Sequence, residues 1–258
     1  MAEARQAGRR SRPGLLVSVL ALAAFAILIA LGTWQVERLQ WKENLLATIS
    51  ERMQAPPAPL DEIAALVATG GEIEYRPVVV RGRFLHDREQ FFFATHSGRT
   101  GYFVYTPLER QDGSILLVNR GFVDMDLKDP ARRPAGQVEG EVEVVGLARE
   151  KLAGKPSSIV PDNDPAKNIF YWKDLDAMAA NAGLDPARVL GFFVDADATA
   201  NPGGYPIGGV TIIDLPNNHL QYAVTWYGLA LALAGVFVFR FFGRKPAPEE
   251  EGDGSSHP

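Results

Sequence analysis

The sequence predicts a membrane protein in which two transmembrane helices enclose a β-rich (α+β) exported domain, folded as a small antiparallel barrel. Three observations predict it. Residues 14–33 are apolar and carry no charge over the length of a span. From Leu220 the chain is apolar again for about 23 residues. That is ~34 Å of helix at ~1.5 Å per residue, against a hydrocarbon core ~30 Å thick. Between the two runs the pattern changes to short β-branched and aromatic stretches separated by turn residues.

Residues 1–13 form a basic tail, with Arg5, Arg9, Arg10 and Arg12 against a lone Glu3. Residues 14–34 follow as the first span. A cleavable signal peptide has a similar opening, but its apolar region is shorter and a small-residue cleavage site follows it. The run here is longer and no such site follows, so an uncleaved helix is expected. The second span, residues 218–242, ends in Arg240, and Arg244 and Lys245 lie just beyond it. Both membrane-flanking tails are basic, which places both termini in the cytoplasm and residues 35–217 outside it. Residues 243–258, rich in Glu, Gly, Ser and Pro, read as a disordered cytoplasmic tail.

The domain between the spans opens with a continuation of the first helix. Trp34, Arg38 and Trp41 recur at helical spacing, and the two tryptophans mark an interface. The PPAP run at 56–59 ends that helix, and Asp61–Thr69 is a short one. Strands are expected at PVVVRGRF, EQFFFAT, GYFVYTPL, SILLVNRGFV and VEGEVEVVGLARE. Residues 150–168 form a long proline-bearing loop. Asn168–Trp172 reads as a short strand, Asp174–Asn181 as a helix, Leu190–Ala196 as a strand, and Val210–Leu215 as a last strand or lead-in.

Composition excludes several functions. Of 258 residues 47% are hydrophobic, none is cysteine, and the net charge is -5. There is no disulfide, iron–sulfur cluster, thiolate metal site or thiol nucleophile. No basic stripe suggests nucleic acid. No G-x-S-x-G, H-E-x-x-H or phosphate-cradling loop occurs. Gly98, Arg99 and Gly101 read as a turn. His86 and His96 flank one strand, and a hairpin would allow them to approach each other, but two histidines are weak grounds for a metal. Asp124, Asp126 and Asp129 fail the calcium-loop spacing and read as a solvated turn. Thr106-Pro107-Leu108 and Val118-Asn119-Arg120-Gly121 read as structural.

One ionisable group stands at the start of the second span: His219, preceded by the N-cap candidate Asn218 and followed by Gln221. It has two readings. It is a polar interfacial residue closing a membrane helix, or it is a ligand. The positive end of a helix disfavours imidazolium, and neutral imidazole is what a haem iron or other metal requires. His219, Ala223, Trp226 and Ala230 share one helical face, a smooth wall suited to a flat macrocycle. Tyr222, Trp226 and Tyr227 suit the interface. Gly228, Ala232 and Gly235 line the opposite face at small-residue spacing. If that face packs on the first span, His219 looks outward.

Several of these motifs together resemble the surfeit-locus family of cytochrome c oxidase assembly proteins, in a bacterial member. They are LGTWQ with Arg38 and Trp41-Lys42 after the first span, TPL, VNRG, and NNHLQYAVTW opening the second. The resemblance covers Leu31 to Phe242, with motifs in family order. Phe122 departs from it, standing where a tryptophan commonly follows VNRG. The resemblance implies a non-catalytic assembly factor of the bacterial inner membrane, with a periplasmic central domain. It implies binding of haem a and help in inserting it into subunit I. Its partners would be that subunit, the haem a synthesis machinery and membrane lipid. His219, in the NHLQYA motif, becomes the expected iron ligand. Trp226 and Tyr222 join it as cofactor-binding residues, and Arg38 and Lys42 are expected to pair with the propionates. The competing expectation is a structural scaffold that stabilises a subunit I assembly intermediate without touching haem.

Overall fold

The computed structural model describes residues 14–211 and 217–242. The chain divides into two compact units, Ala47–Asp214 and Met1–Leu46 with Leu215–Pro258.

In the first unit the apolar alternation becomes strands β1 (Ala58–Pro59), β2 (Pro77–Phe84), β3 (Gln90–His96), β4 (Arg99–Glu109), β5 (Ile115–Asp124), β6 (Glu141–Glu150) and β7 (Val189–Ala196). Their order is β1-β2-β6-β7-β5-β4-β3, and β2 also pairs with β4. That extra pairing, Arg83 with Glu109 and Phe84 with Leu108, closes β2, β6, β7, β5 and β4 into a five-stranded barrel. Four of its ladders are antiparallel, whereas β5 and β7 run parallel.

Alternation sorts the side chains. Val78, Val80, Leu108, Leu116, Val118, Ala148, Phe192 and Val194, drawn from all five barrel strands, form one core cluster. Leu60 and Ile63 of helix α2 (Leu60–Ala68) join it. The other face of the β5 region carries Tyr105, Leu117 and Phe193. It is covered by Leu175, Met178 and Ala179 of helix α3 (Leu175–Asn181). Both faces of β5 are therefore buried, which is why ILLVNRGFV reads as a nearly continuous apolar run. The α3 helix starts where Asp174 accepts a hydrogen bond from the Ala177 N–H, a standard N-cap.

Two expectations are corrected here. Asn168–Trp172 is not a strand. It makes only isolated bridges, Phe170 with Phe92 and Ile169 with Asp164, and Phe170 is used as a buried plug. Val210 and Thr211 carry no strand, and 212–215 lie outside the described residues.

The second unit is a helix pair. Helix α1 (Leu15–Met53) is continuous for 39 residues, and its portion up to Leu46 belongs here. Helix α4 runs His219–Phe242. Both are long and apolar enough to cross a membrane. They run antiparallel: Gln35 meets His219, Gly32 and Thr33 meet Tyr227, and Ala21 and Phe25 line one cavity with Leu233 and Ala234.

The seam does not use the glycine face. A Cβ added at Gly228 or Gly235 would meet nothing within 4 Å, whereas Ala223 and Ala230 are buried. The expectation that Gly228, Ala232 and Gly235 pack on the first span, leaving His219 outward, is wrong. The close approach comes from α1 instead, where a Cβ on Gly32 would lie 2.8 Å from the Tyr227 ring. The reason is polar. The Tyr227 hydroxyl sits 3.1 Å from Thr33 Oγ1, which itself donates to the Ile29 carbonyl. Such groups would be costly left unpaired in hydrocarbon, so they set the rotation of the pair.

Candidate functional site

His219 is the first residue of α4, so its backbone stands at the positive end of the helix. The ring is half-buried on the seam with α1. Its Nδ1 lies 2.8 Å from the Oε1 of Gln35, a buried residue. An amide oxygen only accepts, so Nδ1 carries the proton. Among the described residues Nε2 makes no hydrogen bond.

The other candidate residues are arranged unequally around it. Trp226 is half-buried and lies two turns along α4 on the His219 side. Tyr222 is exposed. Arg38 is exposed, with its guanidinium stacked 3.9 Å over the Trp41 ring. Lys42 is half-buried, two turns beyond Gln35 on the same side of α1. The Ala223–Ala230 wall is not open to a flat macrocycle, because both alanines are buried. The donor set suits a haem iron in one respect: an imidazole whose Nδ1 meets a buried acceptor and whose Nε2 makes no hydrogen bond among the described residues.

The barrel unit holds a second polar centre, which sequence reasoning missed. Arg120, from the VNRG stretch, is 2% exposed. Its Nη2 donates to the Gly136 carbonyl at 2.7 Å and to Asn201 Oδ1 at 2.9 Å, and its guanidinium stacks 4.6 Å from the Phe84 ring. Beside it the buried Glu89 accepts both guanidinium nitrogens of the buried Arg133. Glu89 Oε1 is also 3.8 Å from Arg120 and 3.6 Å from His86. One carboxylate therefore serves two buried arginines. Burial alone would raise the Glu89 carboxyl, but the hydrogen bonds from His86 and Arg133 and the charges of both arginines hold it below its usual value. Burial pulls the Arg120 guanidinium down to about 10, against the opposing pull of Glu89.

A further buried carboxylate, Asp195, accepts from Arg149 at 2.7 Å, Thr211 at 2.8 Å and Asn119 at 3.0 Å. It ties the chain that leaves the barrel back onto β5 and β6.

The remaining candidates are structural. His86 Nε2 bonds the Val138 carbonyl at 2.9 Å, and the His96 ring lies 5.4 Å from that of Phe122, so the two histidines do not share a site. Asp124 pairs with Arg99, Asp126 with Arg132, and Asp129 caps a turn at Ala131. Among the described residues no group of three His, Asp or Glu could hold a metal ion. The signal for Gln35 lay in the LGTWQ motif. Glu89 and Arg133, 44 residues apart, left no local signal.

The model of the SURF1 family matches residues 22–231. Surfeit locus protein 1 of Rattus norvegicus is 40% identical over 237 residues, covering 86% of this chain and 74% of the rat protein. The Homo sapiens protein of the same name is 38% identical over 233 residues, covering 84% and 74%. A SURF1-like protein of Drosophila melanogaster is 33% identical over 241 residues, covering 86% and 76%. The matched stretch takes in the barrel, Gln35 and the start of α4, and the chain belongs to the SURF1 family.

Proposed function

We propose that this chain is a non-catalytic assembly factor for cytochrome c oxidase that binds haem a and assists its insertion into subunit I, with His219 as the iron ligand. Family membership supports the oxidase role. The observation that carries the haem reading is the His219 imidazole at the first residue of α4, with Nδ1 facing Gln35 Oε1 and Nε2 making no hydrogen bond among the described residues. Haem a, if bound, would supply the iron centre, and His219 would be the residue that holds it through an imidazole nitrogen.

The chain's own residues do the rest. Tyr222 and Trp226 follow His219 along α4, one and two turns on, and would be the aromatic residues beside a macrocycle. Arg38 and Lys42 place cations one and two turns past Gln35, and they would be the residues that pair with propionates. A site at a membrane boundary suits a cofactor with an isoprenoid tail and two carboxylates, since the tail stays in lipid and the carboxylates face water. The basic residues flanking both spans support a topology with the termini in the cytoplasm and the barrel in the periplasm of a bacterial inner membrane. Subunit I and the haem a synthesis machinery are then the partners.

The test is co-expression with the haem a synthetic enzymes, purification, and an optical spectrum. The wild-type protein is expected to carry haem a. His219→Ala is expected to insert and fold, with its haem content reduced or its spectrum shifted. Unchanged haem content and spectrum in that variant would sink the ligand assignment. Absence of haem from both proteins would leave the scaffold role, stabilising a subunit I intermediate, as the function.

A further inference from the structure

We propose that Gln35 is a positioning residue for His219: its buried amide oxygen holds the imidazole in the Nδ1–H tautomer and keeps the Nε2 lone pair available to an iron. This rests on the haem reading above.

Free imidazole side chains exchange between two neutral tautomers, and only the nitrogen without a proton can ligate a metal. In this chain the choice is made by geometry. His219 Nδ1 and Gln35 Oε1 are 2.8 Å apart, and Gln35 is 9% exposed. The bond therefore lies largely out of water, where an unpaired amide oxygen or ring N–H would be costly. With the amide oxygen facing Nδ1, reversing the tautomer would set a lone pair against that oxygen. The partner comes from α1, 184 residues away in sequence, so the arrangement exists only when the two helices are paired.

Neighbouring contacts keep the register that delivers Gln35 to the ring. Gly32 lets the Tyr227 ring lie against α1, and the Tyr227 hydroxyl meets Thr33. Gln35 is one turn on from these residues, and His219 is two turns back from Tyr227. A hydrogen bond from the far nitrogen does more than orient the ring. It raises the basicity of the ligating nitrogen, as outer-shell partners of metal-bound histidines do. Loss of such a partner typically weakens metal binding by about 10–100-fold.

The test uses the full chain in detergent with ¹⁵N-labelled histidine, first without haem. His219→Ala identifies the His219 signals. The wild-type ring is expected to show a protonated Nδ1 and an unprotonated Nε2. Gln35→Met, similar in length but without the acceptor, is expected to lose that preference. Gln35→Glu, which can accept through an ionised oxygen, is expected to retain it. Haem a titration and redox potentiometry follow. Gln35→Met is expected to bind about 10-fold more weakly or worse. Its haem is expected at a higher midpoint potential than wild type, and that of Gln35→Glu at a lower one. Unaltered affinity of Gln35→Glu with a shifted potential would separate tuning of the iron from simple packing, which would leave the potential alone.

A protonated Nε2 in the haem-free wild type overturns the proposal whatever the haem results are. So does a Gln35→Met protein with wild-type affinity and potential. If His219→Ala binds haem a with an unchanged spectrum, the haem reading itself fails. The role of Gln35 toward iron then falls with it, even where the tautomer is as expected.

Discussion

Replacing Glu89 by Gln changes one charge at nearly constant volume in a buried polar centre of the barrel unit. Glu89, Arg120 and Arg133 each have side chains only 2% exposed. The substitution removes the carboxylate that both arginines face and leaves two like charges in a desolvated site. Breaking a buried pair this way typically costs about 3–5 kcal/mol. Arg120 retains the Gly136 carbonyl and Asn201, and Arg133 retains the Leu127 carbonyl, so the lower end, about 3 kcal/mol, is expected. The assay is denaturant unfolding of the full chain in detergent, followed by far-ultraviolet circular dichroism in the β-sheet region. The double variant Glu89→Gln/Arg133→Met is expected to recover part of the loss, because it removes one of the stranded charges. The pH dependence has a definite sign. The folded carboxyl is held below its unfolded value, so its contribution is complete above the unfolded value and disappears as pH falls through the folded one. The Gln variant is expected to lack that acid-side loss. A cost below about 1 kcal/mol, the range of an exposed pair, together with an unaltered acid limb, would refute the view that this centre is a desolvated charge network.

Three further outcomes follow from the geometry. Gly121→Ala is expected to destabilise the barrel by more than the roughly 1–3 kcal/mol of backbone strain alone, measured by the same unfolding assay, because φ is +125° and the new Cβ would lie 1.9 Å from the Ile207 carbonyl oxygen. Cysteines placed at Phe25 and Ala234 are expected to cross-link in membranes, whereas one at Gly228 or Gly235 is expected to give little product with α1; gel mobility after oxidation reads the result. If the proposed propionate pairing holds, Arg38→Ala is expected to lower haem a affinity in an optical titration while leaving the iron spectrum unchanged, since a guanidinium, here stacked on Trp41, does not ligate iron.

The barrel was legible because its signal is local. Runs such as PVVVRGRF and ILLVNRGFV alternate or stay apolar over a strand's length, and each became a strand. Strand order carries no such local signal. The parallel β5–β7 ladder depends on the path of the chain between residues 124 and 189, which is mostly loop and 3₁₀ turn. Asn168–Trp172 has strand composition, but its apolar content serves to bury Phe170 against β3 rather than to extend a ladder. Arg120 was recognised as structural from VNRG, yet its environment was not, because Glu89, Gly136 and Asn201 come from three separate loops.

The helix pair shows which physical term decides where two sequence signals compete. Small-residue spacing favoured the Gly228–Gly235 face, and close backbone approach there would gain dispersion contacts. The polar side chains on the other face make a larger demand. Gln35, Thr33, Tyr227 and His219 lie in or beside apolar helices, where an unsatisfied polar group costs several kcal/mol. Turning α4 so that His219 reaches Gln35 and Tyr227 reaches Thr33 meets that demand twice, and the glycine face is left without a contact among the described residues. The same rotation withdraws the Ala223–Ala230 wall from any ligand and brings a buried acceptor behind the imidazole. A polar residue at a span's end is therefore better read together with the polar residues of the other span than by the small residues of its own helix. LGTWQ and NHLQYA carry that information jointly, and neither carries it alone.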